Sequence, residues 1–195
     1  MRGIVFGSAG LLMCAAVIAC TPSGDPAQAP AQSLTSPSGV PSTGTGALAI
    51  AASGRSILML DQCEPESFDA AVEPGTCVRN GGITFEHFIA ALTTHQTVPS
   101  WRFSPDTIHV PHEVTLPIVN KGGETHTFTE VEEFGGGIVP VLNALTGNPI
   151  PAPECLQLTG ADFIPAGGEA THTFEPGETE KYMCCIHPWM RAETR

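Results

Sequence analysis

The pattern of apolar and polar residues divides this 195-residue chain into three segments. Residues 4–19 form an uncharged apolar run, preceded by a single positive charge at Arg2. Residues 21–50 are rich in Pro, Ser, Gly, Thr and Ala and contain almost no large apolar side chain. Residues 51–195 carry short stretches of periodic apolar positions, and their number suits one domain with a hydrophobic core.

The first two segments predict export followed by a flexible tether. A positive charge and an apolar run shorter than the roughly 20 residues of a membrane-spanning helix are typical of a signal peptide. Small residues lead into Cys20, which resembles the lipobox of bacterial lipoproteins; the alternative is an ordinary signal peptide with an incidental cysteine. We therefore predict a signal peptide over residues 1–19 and, over residues 20–50, a lipidated tether too polar to fold.

Lipidation at Cys20 would anchor the protein to a membrane at the cell envelope. Thr21 follows the cysteine where aspartate would favour the inner membrane, so we expect the outer membrane and periplasm in a Gram-negative host. In a Gram-positive host we expect the outer face of the cell membrane. Both locations are oxidising, so that paired cysteines would form disulfides.

The N-terminal part of the third segment, residues 51–100, predicts one strand and one helix. The short apolar run over residues 56–60 is typical of a strand. Residues 84–92 place apolar side chains at helical spacing, and Thr84 precedes them as a candidate N-cap.

From Trp101 onward the pattern is that of short strands. Apolar residues recur over 108–118, interrupted by the turn-forming residues 111–113. Three further strands are predicted, over residues 125–131, 169–174 and 178–184. Glu175-Pro176-Gly177 predicts a hairpin turn between the last two. Many short strands favour a mostly β fold, a sandwich or barrel.

One long excursion interrupts these strands. Residues 134–168 are rich in Gly and Pro, with a helical turn predicted over residues 139–145. Long loops of this kind often carry function. The pattern leaves open whether the excursion covers a site or extends toward a partner.

The acidic composition restricts the classes of partner. The formal net charge is −12, which argues against nucleic acid, because nucleic-acid-binding proteins present a basic face. It would favour encounter with a basic protein. Simple solubility of an exported protein is the alternative explanation.

The cysteine count indicates a role beyond disulfides. Of seven cysteines, Cys14 lies in the predicted signal peptide and Cys20 is the predicted lipid site, which leaves five. Because five is odd, at least one should have another function. Cys63 and Cys77 are close in sequence and flanked by turn formers, so we predict a disulfide between them.

The strongest chemical signal lies in residues 182–190. Cys184, His187 and Met190 follow the spacing Cys-x-x-His-x-x-Met. Thiolate and thioether ligands favour Cu(I), whereas imidazole suits both copper oxidation states. A blue-copper site needs two His and one Cys, with a weak axial Met, so a second histidine must come from upstream, where His126 is well placed. Zinc binding, or a plain disulfide with Met190 in the core, are the alternatives.

The tail motif over residues 182–190 and the upstream segment over residues 103–126 together resemble the cupredoxins of the plastocyanin and amicyanin type. The resemblance spans about residues 101–190 and implies a Greek-key β-sandwich around one copper ion. It implies a copper site whose ligands are His126, Cys184, His187 and, on the axis, Met190. It also places Asn120 where the family keeps an asparagine that ties the two ligand loops together. Residues 51–195 would then form one domain whose copper-binding core is residues 101–195.

Side-chain alternation distinguishes the two adjacent cysteines. In a strand, Tyr182 and Cys184 share one face, while Lys181 and Cys185 share the other, which we expect to face solvent. Cys184 therefore points inward, and it also has the family spacing to the histidine of the tail. Cys185 is then available to pair with Cys155, which would bring the long excursion beside the site.

The remaining histidines are interpreted as structural or as surface residues. His172 lies in a second Thr-His-Thr-Phe copy, but the predicted hairpin would place it about 10 Å from Cys184 along the strand. The surface histidines are expected to be His87, His95, His109 and His112.

Together these features predict an electron carrier. One copper ion would exchange electrons with a cytochrome or another copper protein, through an exposed His187. No substrate pocket or acid–base pair is evident in the sequence, so we do not predict an enzyme. The alternative is copper storage, delivery or resistance, for which the mature chain offers few methionines, and a third possibility is an interaction domain that binds through residues 134–168.

Overall fold

The computed structural model describes residues 55–195. The predicted signal peptide, the lipidation site Cys20 and the tether over residues 20–50 lie outside the described residues. In chain order the elements are β1 (Ile57–Leu60), α1 (Pro65–Ala71), α2 (Phe85–His95), β2 (Arg102–Ser104), β3 (Thr107–Ile108), β4 (Val114–Asn120), β5 (Thr129–Val131), α3 (Pro140–Leu145), β6 (Glu169–Phe174), β7 (Lys181–Met183) and β8 (Arg191–Thr194). Within residues 55–195, no helix is long and apolar enough to cross a membrane.

The first sheet has the spatial order β2-β1-β4-β6. Strand β1 lies inside this sheet, antiparallel to β2 and parallel to β4. Its alternating side chains Ile57 and Met59 are fully buried, as the short apolar run predicted. Strand β6 pairs with β4 along six residues and has the predicted bounds.

The second sheet has the spatial order β3-β8-β7-β5. Strand β7 lies between β5 and β8 and is antiparallel to both, while β3 runs parallel to β8. Together the two mixed sheets, with few and short helices, make a mostly β fold.

The predicted hairpin between residues 169–174 and 178–184 is wrong. Strands β6 and β7 lie in different sheets, so the turn at Pro176-Gly177 carries the chain from one sheet to the other. The physical reason is that each strand has better partners elsewhere. Strand β6 pairs along the length of β4, whereas β7 hydrogen-bonds to two strands at once.

The N-terminal part contains two helices instead of the one predicted. Helix α2 begins as expected, with the Thr84 hydroxyl accepting the backbone N–H of His87, and it runs on to His95. Helix α1 lies within the Cys63–Cys77 loop, where apolar residues are too few to give a periodic signal. Its first turn is held by the Glu64 carboxylate, which accepts the backbone N–H of Ser67 at 2.8 Å.

Both disulfides that the sequence predicted are formed. Cys63 is bonded to Cys77, and Cys155 is bonded to Cys185. Cys184 is the free cysteine among residues 55–195, and it is buried. Helix α3 occupies the helical turn that was predicted within the long excursion.

The helices and both sheets share one main core. An aromatic cluster from the N-terminal part packs into it, with Phe88 contacting Phe68, Trp101 and Trp189 at ring-centroid distances of 5.4, 4.9 and 5.8 Å. Residues 55–100 are therefore an integral part of the packing around the sheets.

A second, smaller core lies on the opposite face of β7. It contains Val131, Ala152, Cys155, Met183 and Cys185. The expectation that this face meets solvent is therefore wrong, because the long excursion folds back over it and is held there by the Cys155–Cys185 disulfide.

Candidate metal centre

The loop between β7 and β8 brings the tail motif into the core. Its ends are joined by two backbone hydrogen bonds, from Cys184 N to the Met190 carbonyl at 3.0 Å and from Met190 N to the His187 carbonyl at 2.9 Å. Cys184 and Met190 are fully buried, and His187 is 2% exposed. The short loop therefore holds three residues of mixed ligand chemistry inside the protein.

His126 reaches the same place from a different part of the chain. The predicted strand over residues 125–131 is regular only from Thr129, and His126 precedes it in an isolated bridge with Ile164. The two residues exchange backbone hydrogen bonds of 3.1 and 2.8 Å. The His126 side chain is fully buried.

The ring nitrogens of the two histidines and the sulfur of Cys184 form a compact triangle. His126 Nδ1 lies 3.2 Å from His187 Nδ1, and Cys184 Sγ lies 3.7 Å from each of them. The point equidistant from the three atoms is about 2 Å from each, which is close to the length of a metal–imidazole bond. The three donors therefore fit a single metal ion.

A second group of potential ligands does not make another site. Asp61, Cys63 and Glu124 also lie close together. Because the sulfur of Cys63 is bonded to Cys77, it is not available to a metal.

The surroundings of Cys184 favour its thiolate. Burial by itself would raise the pKa of this thiol, but the hydrogen bonds and charges of His126 and His187 lower the pKa well below its usual range. The backbone N–H of Thr127 also approaches Cys184 Sγ at 3.4 Å. A thiolate is the form of cysteine that binds metals.

Thr127 takes the part that was predicted for Asn120. The Asn120 amide donates to the carbonyls of Glu124 and Ile164, at 2.8 and 2.9 Å, so it braces the loop before His126 rather than tying the two ligand loops together. Thr127 does join them, because its hydroxyl accepts the backbone N–H of Cys185 at 2.8 Å.

A carboxylate lies near the Nε2 atom of each histidine, on the side of the ring away from the triangle. Asp61 Oδ2 lies 2.9 Å from His126 Nε2, and both side chains are almost completely buried. Glu124 Oε2 lies 3.6 Å from His187 Nε2 and accepts the indole N–H of Trp101 at 2.5 Å. Burial raises the pKa of Glu124, although His187 and Trp101 act against that rise.

The expectation of an exposed His187 is wrong. His187 is 2% exposed. It lies beside a cleft of about 280 Å³ that is also lined by Ile186 and by residues 72–76 of the N-terminal disulfide loop. The half-buried Trp189 packs edge-on against the His187 ring, with the centroids 5.3 Å apart. No pattern in the tail itself indicated this cover, because it comes from residues more than 100 positions upstream.

The other histidines take no part in the triangle. His172 lies in the first sheet, where its Nε2 is 2.8 Å from the hydroxyl of Tyr182. Although the predicted hairpin is absent, this contact agrees with the interpretation of His172 as a structural residue. The exposed histidines are, as predicted, His87, His95, His109 and His112.

Sequence reasoning missed Asp61, Glu124 and Thr127. Thr127 directly follows His126, and that adjacency was a usable signal. Asp61 follows a short strand 65 residues before His126, and no local pattern links the two positions.

Comparison with known families finds no matching family model. Comparison with curated proteins finds no matching sequence. Among solved structures, the chain is similar to a purple cupredoxin from Nitrosopumilus maritimus, with 19% identity and a TM-score of 0.36 over 50% of this chain and 84% of the other. It is also similar to a reduced amicyanin variant, with 20% identity and a TM-score of 0.32, and to a reduced Cu(I) amicyanin variant at pH 4, with 19% identity and a TM-score of 0.30; each covers 48% of this chain and 70% of the other.

Proposed function

We propose that this protein is a mononuclear blue copper protein that carries one electron at a time at the cell envelope. The observation that carries the proposal is the buried triangle of His126 Nδ1, His187 Nδ1 and Cys184 Sγ. Two imidazoles and one thiolate in a trigonal set are the donors of blue-copper electron-transfer sites.

Met190 supports copper over zinc. It is fully buried at the end of the same loop, and a weak axial thioether completes a blue-copper ligand set. Structural zinc sites use four Cys or His ligands, or carboxylates. The described residues bring only three such ligands together at this point, so the alternative zinc site would lack its fourth.

Contacts among the described residues hold the donor atoms in place. Thr127 links the His126 segment to the ligand loop, and the backbone bonds between Cys184, His187 and Met190 close that loop. Copper, when bound, supplies the exchange between Cu(II) and Cu(I). A ligand set that is buried and joined by hydrogen bonds changes its geometry little between these two states, so little rearrangement opposes electron transfer.

The fold and the location belong to the same proposal. We propose that the two mixed sheets form a Greek-key sandwich of the cupredoxin kind, with the long excursion packed against the back of β7. A lipid on Cys20 and the tether over residues 20–50 would keep this domain near a membrane surface. The protein is proposed to act as a carrier and not as an enzyme.

The proposed partner is a redox protein such as a cytochrome or another copper protein. The cleft beside His187 and the half-buried Trp189 ring that contacts His187 are the proposed routes for the electron. The exposed Glu73 lines this cleft, so a basic partner surface suits it.

The test is a visible spectrum of the protein with one equivalent of Cu(II), before and after ascorbate. We expect an intense blue thiolate band that ascorbate bleaches reversibly and that the Cys184→Ser variant lacks. The double variant Cys155→Ala/Cys185→Ala is the matched control, because it alters the neighbouring cysteine and should retain the band. Colourless binding of copper would instead assign the protein to copper storage, delivery or resistance, and absence of binding would refute a copper function.

A further inference from the structure

Asp61 is a buried carboxylate that contacts His126 and the backbone before it. It follows the interior strand β1, and its side chain is 1% exposed. Ordinary aspartates at strand ends face solvent, because burying a charge is costly unless it is paired and hydrogen-bonded. The position of Asp61 therefore requires compensation from its neighbours.

Four donors surround this carboxylate. His126 Nε2 lies 2.9 Å from Oδ2. The backbone N–H groups of Gly123 and Glu124 donate at 2.8 and 3.0 Å, and that of Cys63 donates at 3.3 Å. Asp61 thus holds both the His126 ring and the backbone of the segment that leads to it.

The glycine at position 122 leaves room for the Asp61 carboxylate. A Cβ atom on Gly122 would collide with the Asp61 side chain, so glycine at this position allows the close approach. Three backbone N–H groups donate to Asp61, and an ionised carboxylate is the form of the side chain that only accepts hydrogen bonds. This geometry favours the negatively charged form of Asp61.

This contact sets which nitrogen of His126 faces the metal position. When Nε2 carries the hydrogen donated to Asp61, Nδ1 keeps a free lone pair, and Nδ1 is the atom that lies in the triangle with Cys184 and His187. The partner of the other ring nitrogen fixes the orientation of a metal-binding histidine and raises its basicity.

The two histidines are held differently. His187 Nε2 lies 3.6 Å from Glu124, beyond hydrogen-bond distance, and that carboxylate already accepts the Trp101 indole N–H. Only His126 therefore has a close charged partner on its far side within the described residues.

We propose that Asp61 is a positioning residue of the metal centre, which fixes His126 with Nδ1 toward the metal and whose negative charge favours Cu(II) over Cu(I). This inference rests on the proposed copper function. Reduction delivers one electron from the redox partner to the copper and lowers the charge of the centre by one. A fixed carboxylate behind His126 opposes that change, so Asp61 lowers the reduction potential.

The test compares the Asp61→Asn variant with the original protein at pH 7. Loss of the carboxylate should weaken binding of Cu(II) relative to Cu(I) by about tenfold, which corresponds to a reduction potential about 59 mV higher for a one-electron couple. The matched control is Asp106→Asn, the same change at an exposed aspartate, which should leave the potential unaltered. A folded Asp61→Asn variant with an unchanged potential would overturn the proposal.

A second measurement separates this inference from the copper function and needs no variant. Nitrogen NMR of the metal-free protein at a pH above the titration of His126 reports which ring nitrogen carries the hydrogen. We expect the Nε2–H form of His126, and an Nδ1–H form would overturn the role of Asp61. If the Nε2–H form is found but no copper binds, the copper function fails while the placement of His126 by Asp61 stands.

Discussion

At the scale of single residues, the candidate metal centre depends on side chains that are not among the proposed ligands. Asp61 holds one ring from behind, and Thr127 joins the two segments that supply the donors. The Thr-His-Thr-Phe stretch occurs twice in this chain, and only the copy containing Thr127 lies at the centre. In the other copy, on β6, Thr173 lies on the exposed face of the first sheet and Phe174 is buried. The same four-residue sequence therefore has two different structural roles, which depend on the residues that pack against it.

The Thr127→Val variant tests the joining role. Valine keeps the shape but removes the hydroxyl that accepts the Cys185 backbone N–H, which leaves a buried donor unpaired. We expect the free energy of unfolding of the metal-free protein to fall by about 1–3 kcal/mol in urea denaturation. Thr173→Val is the matched control, and its effect should stay within about 0.5 kcal/mol, because Thr173 is exposed. Equal effects of the two variants would contradict the joining role.

At the scale of elements, the long excursion covers β7, the strand that leads into Cys184. The Cys155–Cys185 disulfide attaches it directly beside the free cysteine, and the second core fills the space between them. Strand β7 is consequently buried on both faces, although one of its residues is a lysine. Lys181 reaches the surface at its tip, where its ammonium group pairs with Glu133 at 2.6 Å.

Removal of this disulfide tests whether the cover stabilises the fold without supplying a ligand. The Cys155→Ala/Cys185→Ala variant opens a loop of 30 residues, so we expect it to lose about 2–4 kcal/mol of stability in urea denaturation. Its thiolate band with copper should persist, since Cys184 is unchanged. Loss of the band in a folded variant would contradict this separation between cover and ligand set.

At the scale of the whole molecule, the N-terminal part and the acidic charge together would decide how the proposed partner reaches the candidate metal centre. Strand β1 lies between β2 and β4 in the first sheet. The disulfide loop that follows β1 borders the cleft beside His187. The chain carries a net charge of −12. Electron exchange is therefore expected to depend on long-range attraction as well as on the local contact.

Ionic strength tests this expectation. The rate constant for electron transfer from the reduced copper protein to a basic c-type cytochrome should fall about tenfold or more as salt is raised, because salt screens the attraction. Stopped-flow mixing measures the rate, and an acidic cytochrome provides the control, for which the rate should rise. A rate with the basic cytochrome that is independent of salt would refute electrostatic steering.

The sequence by itself determined the features that depend on near neighbours. Cys184, His187 and Met190 lie within seven residues, so their spacing alone indicated one loop that offers a thiolate, an imidazole and a thioether. The Thr84 cap and the buried alternation of β1 were likewise visible, because helix and strand periods are local properties.

Only the tertiary structure decided what depends on distant pairing. The partner of β6 is β4 and not β7, and that choice follows from the length of matching strand across the sheet. Asp61 meets His126 across 65 residues, and the disulfide loop borders His187 from more than 100 residues away. Such contacts arise when sheets pair and cores close, and no periodicity within a short window of sequence records them.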